Sequence, residues 1–157
     1  MNRVSKILFV FLLGITFLTG CGNKEVQEKT MICTRNATIA EGTTLNVEYT
    51  VTYQGDYVKK IYSNEKTSSD NTEYLNQMKT MVENTYAPYK DLEYYDYNIQ
   101  IEGDTLTSQL TIDYDKIDTD KMIEIDSANA TLIKDGKVKV EDIKAQYNNI
   151  GAICEEQ

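Results

Sequence analysis

Between residues 44 and 53 the chain alternates without interruption. Leu45, Val47, Tyr49, Val51 and Tyr53 are separated by Thr44, Asn46, Glu48, Thr50 and Thr52. Successive side chains of a strand point to opposite faces. A strict period of two with branched and aromatic members therefore predicts a strand with one face in a core and one in water. Gln54-Gly55-Asp56 supplies a turn, and Tyr57-Val58-Lys59-Lys60-Ile61-Tyr62 returns, closing a hairpin. The pattern recurs later. Tyr95, Tyr97, Ile99 and Ile101 alternate, Glu102-Gly103-Asp104 turns, and Leu106, Ser108, Leu110, Ile112 and Tyr114 alternate again. Met31 to Thr38 is predicted as a first strand, ended by a turn at Ile39-Ala40-Glu41-Gly42.

Helical signals fill the gaps. Asp70 with Glu73 makes a capping box. Tyr74, Met78, Met81, Val82 and Thr85 then recur at helical spacing until Pro88. Asp118 or Thr119 opens a short segment through Ile125, where Ile123 and Ile125 suit a strand as well as a helix. Lys134-Asp135-Gly136-Lys137 is a turn. Val140 to Asn149 reads as a terminal helix with Ile143 and Tyr147 inward and Gly151 past its end. The expected fold is α+β: a twisted antiparallel sheet built from two hairpins, with helices packed on one face.

The chain opens differently. Arg3 and Lys6 precede an apolar stretch from Ile7 to Leu18, too short to span a bilayer and arranged as a secretion signal. It ends at Leu18-Thr19-Gly20-Cys21, which resembles the lipobox of bacterial lipoprotein signal peptides. That resemblance implies a diacylglyceryl thioether on Cys21 and cleavage just before it. Two acyl chains suffice for stable anchoring. Residues 1–20 are thus expected as signal peptide, 21–30 as lipidated cysteine and flexible tether, and 31–157 as a single domain. Nine flexible tether residues would reach roughly 15–18 Å. The implied location is the extracytoplasmic face of the cell membrane.

Sixteen basic and 25 acidic residues give a formal net charge of −9. Loss of residues 1–20, with two basic residues and no acid, deepens it to −11. Such acidity argues against nucleic acid, which requires a basic face, and discourages flat docking onto an anionic leaflet. With Cys21 assigned to lipid, Cys33 and Cys154 remain, in a compartment where disulfides persist. A bridge between them is expected, two buried thiols being the alternative.

The chain has no histidine, which removes Ser-His and Cys-His pairs and the commonest zinc and copper ligand. No cofactor or metal is expected. Asp113, Asp115, Asp118 and Asp120 have the alternate spacing calcium uses, but the turn glycine and closing glutamate are missing and Lys116 intrudes. They read as a solvated strand end and a helix cap. All twelve tyrosines lie beyond residue 20, and the three phenylalanines lie before it, so tyrosine must serve as core aromatic. Tyr95 and Tyr97 should enter the core. Tyr94 and Asp96 would face the other way, with Tyr49 or Tyr53 nearby, as a stacking platform for a ligand. Two sequons, at Asn36 and Asn129, are read as chance.

The assembled pattern resembles a family of small bacterial lipoproteins, the YehR-like proteins. Leu18-Thr19-Gly20-Cys21, Cys33 opening a strand, the Tyr53-Gln54-Gly55-Asp56-Tyr57-Val58 hairpin and the Leu110-Thr111-Ile112-Asp113-Tyr114 strand carry it. The resemblance implies a sheet-and-helix fold and an envelope location, and carries over no catalytic residue. Three functions follow in order of preference. The first is a non-enzymatic module binding an envelope protein or surface component. The second is a small-ligand carrier using an aromatic sheet face. The third is a glycan-cleaving enzyme with paired carboxylates.

Overall fold

Glycines at positive φ close the turns: Gly42, Gly55 and Gly103 sit at +69°, +60° and +61°. A residue without Cβ takes this conformation at no steric cost, so each of these turns folds tightly and fixes the register of the strands beside it. The computed structural model describes residues 26–157. Cys21 and the predicted signal peptide lie outside the described residues. Strands β1 (Glu28–Ala40), β2 (Thr43–Gln54) and β3 (Tyr57–Ser69) form a meander. Helix α1 (Thr72–Tyr86) follows, then the hairpin β4 (Tyr95–Glu102) and β5 (Thr105–Asp113). Helix α2 (Thr119–Ile125), the two-residue strands β6 (Ile133–Lys134) and β7 (Lys137–Val138), helix α3 (Val140–Asn149) and strand β8 (Ile153–Glu156) complete the chain.

Six strands form one antiparallel sheet in the order β4-β5-β3-β2-β1-β8, and β6 pairs with β7 apart from it. The α+β architecture is the expected one, with two corrections. β1 begins at Glu28, inside the stretch predicted as tether, because β2 extends to Gln54 and pairs with it. β3 continues past Tyr62 to Ser69, paired throughout with β2 and β5. Its inward positions there are Ser63, Glu65, Thr67 and Ser69, so the apolar signal stops while the strand does not.

One sheet face is covered by helices. Met31, Cys33, Val47, Tyr49, Val51, Ile61, Tyr95 and Ile112 turn toward it and are buried. Tyr89, Met122, Val140 and Ile143 bury themselves against that layer. The tyrosines knit it: Tyr89 stacks on Tyr95 at 4.6 Å, and Tyr86 meets Tyr95 edge-on and Tyr97 at a tilt. The stripe of α1 that faces the sheet is Leu75, Met78, Val82 and Tyr86, one residue off the predicted Tyr74, Met81 and Thr85. Met81 is 55% exposed. The phase is set by fully buried Leu75 and by the contacts of Tyr86, the last residue of the helix, with Tyr95 and Tyr97.

The cap also lies one residue later than predicted. Asn71 accepts from the Tyr74 N–H at 3.0 Å. Asn71→Ala is expected to lower stability by about 1 kcal/mol, while Asp70→Ala changes little; urea denaturation of both variants checks this. Asp118 caps α2 by accepting from the Lys121 N–H at 3.1 Å, so the ambiguous segment is helical.

Candidate functional site

The face opposite the helices is open. Threonine, asparagine and glutamine dominate it, and the hairpin registers set them in rows. Thr34, Glu48, Asn64 and Gln109 stand abreast on β1, β2, β3 and β5. Asn36, Asn46, Lys66 and Thr107 form the next row. Around the first three members of each row lies a cleft of about 300 Å³. Asn64 lines it, and the Asn64 Oδ1 is buried with no hydrogen-bond partner among the described residues. A buried amide oxygen without a partner costs roughly 1–3 kcal/mol. Among the described residues, neither Glu48 nor Lys66 is engaged in an ion pair. The cleft therefore offers planar amides, hydroxyls, one carboxylate and one ammonium. That chemistry suits a polar partner rich in donors and acceptors. These residues are the polar half of the strand alternation, which sequence reasoning assigned to water; strand register was the signal that could have found them.

The predicted platform of Tyr49, Tyr53, Tyr94 and Asp96 is not assembled. Tyr49 and Tyr53 share the parity of Val47 and Val51, and both lie beneath the helices at 8% and 5% exposure. Asp96 is exposed on the open face of β4, with β5 and β3 between it and β2. Tyr94 precedes β4 at φ +68° and so leaves the alternation. Its ring lies 5.5 Å from the Lys116 ammonium, beside a cleft of about 270 Å³ that Asp91, Lys116, Asp118 and Lys121 also line. Tyr95 and Tyr97 do point inward, as expected.

In the acidic run, the carboxylates are taken up locally. Asp113 accepts from Lys116 at 2.8 Å, which holds its pKa below the usual carboxylate value. Asp115 pairs with Lys59 at 2.7 Å and Asp118 caps α2.

Beneath the helices runs a polar row that sequence reasoning missed. Arg35, Val47, Glu65, Ser108 and Ile99 stand abreast across the sheet. Tyr49 Oη donates to Glu65 Oε1 at 3.2 Å, and Ser63 Oγ donates to the same atom at 3.4 Å. Tyr147 of α3 stacks on Tyr49, centroids 4.0 Å apart and planes 6° from parallel. Arg35 lies at the C-terminal end of α3, its Nε 3.9 Å from where a Cβ on Gly151 would stand, a favourable place for a cation. Burial pushes the Glu65 carboxyl above its ordinary value, against the opposing pull of the two hydroxyl donors and the Arg35 charge. The same burial, with Glu65 nearby, raises the Tyr49 and Tyr86 hydroxyls.

A carboxyl whose folded pKa exceeds its unfolded value binds its proton more tightly in the native state. Its contribution to stability therefore falls as pH rises from the unfolded pKa through the folded one. Glu65→Gln is expected to gain stability on wild type as pH climbs through that window. Paired urea melts from pH 4 to 8 check this, and a pH-independent difference would sink it.

Cys33 and Cys154 are bonded, resolving the choice between a bridge and two buried thiols. They face each other in the β1–β8 register.

The fold and site define a class: a small α+β domain with a six-stranded antiparallel sheet, helices on one face and a polar cleft on the other. Two solved structures share the fold. The NMR structure of the YehR protein of E. coli matches with a TM-score of 0.55 at 18% identity, covering 82% of this chain and 91% of that one. The NMR structure of a protein from Streptococcus pneumoniae TIGR4 matches with a TM-score of 0.51 at 15% identity, covering 99% and 100%. At such identities the likeness is one of fold. No curated protein matches the chain in sequence. The family described as "Protein of unknown function (DUF1307)" matches residues 35–152, and the chain belongs to it. The resemblance to YehR-like proteins read from the sequence is in keeping with both findings.

Proposed function

We propose that this protein is a lipoprotein held on the extracytoplasmic face of the cell membrane through Cys21. We further propose that it acts there as a non-enzymatic binding module whose partner, an envelope protein or surface component, is taken on the open sheet face. The observation that carries the binding reading is the polar cleft on the open face, lined by Thr34, Asn36, Asn46, Glu48, Asn64 and Lys66, with Glu48 and Lys66 outside any ion pair among the described residues. The anchoring reading rests on the Leu18-Thr19-Gly20-Cys21 motif behind its apolar stretch. A photo-crosslinking residue placed at Asn46 of the anchored protein tests the binding reading. A discrete crosslinked species is expected from Asn46 and not from exposed Asn84 on α1, and Lys66→Glu should abolish it. Equal labelling from both positions would remove the open face as the binding surface. Loss of membrane association on replacing Cys21 by alanine tests the anchor separately.

The carrier reading has one observation in its favour, the cleft beside Tyr94. An aromatic sheet face is not available to it, because Tyr49, Tyr53 and Tyr95 are packed under the helices.

A further inference from the structure

The described chain starts at one particular corner of the molecule. Gln54 Nε2 donates to the Val26 carbonyl at 2.6 Å, and Val26 Cγ1 lies 3.8 Å from where a Cβ on Gly55 would stand. The polypeptide therefore enters the domain beside the β2–β3 turn. Five residue steps separate Val26 from Cys21, which covalent geometry limits to about 18 Å at full extension. The interfacial layer of a bilayer is itself roughly 5–8 Å deep on each side. An anchor at Cys21 keeps this corner within about 10–13 Å of the lipid surface, while the Gly42 and Gly103 turns stand about 36 Å away along the strands.

The side chains at this corner fit that position. Tyr57 is 39% exposed, and its ring carries the Lys137 ammonium 4.9 Å from its centroid. Lys139 bridges to Tyr57 through the backbone, and the Val140 N–H donates to the Asp56 carbonyl at 3.0 Å, which docks the β6–β7 hairpin beside the β2–β3 turn. Lys134, Lys137 and Lys139 are all exposed, and with Tyr57 they line an open recess of about 450 Å³. Asp56, Asp135 and Asp142 share the corner, so its charge is close to balanced despite the acidity of the whole chain. A balanced surface of tyrosine and lysine has no need of an anionic leaflet. The phosphate of any phospholipid accepts from the ammonium groups, and the phenol ring sits well at the headgroup level.

We propose that the corner formed by the Gly55 and Gly136 turns is the membrane-facing surface, with Tyr57, Lys134, Lys137 and Lys139 in the headgroup layer of a phospholipid bilayer. This rests on the anchoring reading at Cys21. The chain has no tryptophan, so one substitution makes a unique reporter. Tyr57→Trp, Lys134→Trp and, at the far end of the sheet, Glu102→Trp are each prepared in the lipidated protein on phosphatidylcholine vesicles and in an unanchored Cys21→Ala chain.

Acrylamide quenching of the first two is expected to fall about twofold or more on the vesicles, as for an aromatic ring moved into the interface. Glu102→Trp should quench equally in both states. Lys134→Trp guards against local disturbance of the Tyr57 turn. Protein that floats with the vesicles while all three reporters stay equally accessible would overturn the proposal and leave the anchor standing. Protein that fails to float would overturn the anchoring reading, and the proposal with it.

Discussion

Replacing both Cys33 and Cys154 with alanine is expected to lower the unfolding free energy by about 3–5 kcal/mol. The bond joins residues 121 apart in sequence, so it closes nearly the whole domain into one loop. On the chain-entropy account, a cross-link of that span removes much of the freedom of the unfolded ensemble. A local effect adds to the global one. β8 is a four-residue edge strand attached by four register pairs, and its Ile153 is 71% exposed. Without the sulfur bridge little apolar burial holds it. Urea denaturation should show the lower midpoint. Hydrogen exchange should show the β8 amides, and those of β1 opposite them, exchanging ahead of the β2–β3 pair. A loss below about 1 kcal/mol would mean that the reduced unfolded chain is already constrained.

The second large effect is expected at Tyr49. Tyr49→Ala removes a buried ring that stacks on Tyr147 and a hydroxyl that donates to Glu65, and should destabilise by about 3–5 kcal/mol. Tyr49→Phe separates the two contributions. It keeps the stack and leaves Glu65 with the Ser63 donor alone, so a smaller loss of about 1–2 kcal/mol is expected. Because the lost partner is a donor to a carboxyl, the cost of Tyr49→Phe should grow with pH as Glu65 ionises. Chemical melts of the two variants at two pH values distinguish the outcomes. Equal losses for alanine and phenylalanine would show that the stack contributes nothing.

Much of this architecture is legible because most inward positions of β2, β4 and β5 are apolar or aromatic and the turns between strands carry glycine. Where the inward positions turn polar, the pattern fell silent. Ser63, Glu65 and Thr67 belong to the covered face only because β3 is held in register between β2 and β5, and no local window contains that information. For the same reason the Arg35–Glu65 row is not legible: its members come from five strands and span residues 35 to 108. α1 is legible but out of phase, since Leu75 and Tyr86 outweigh the Met81 and Thr85 positions. β8 is too short for periodicity, and Cys154 was the one residue pointing to it. The tyrosine platform failed on parity: Tyr49 and Tyr53 were weighed for their chemistry, while their neighbours Val47 and Val51 had already assigned them inward.

The bond between β1 and β8 has a mechanical side. A chain tugged from ahead of Glu28 can peel away only Glu28 to Ile32 before the load reaches sulfur. Everything between Cys33 and Cys154 lies inside a covalent ring and adds no length, however hard the ends are drawn apart. Under tension this domain behaves as a closed ring held at its sulfur bridge. The cleft on β1, β2 and β3 lies wholly inside the ring, so it keeps its covalent frame under any pull its backbone can transmit.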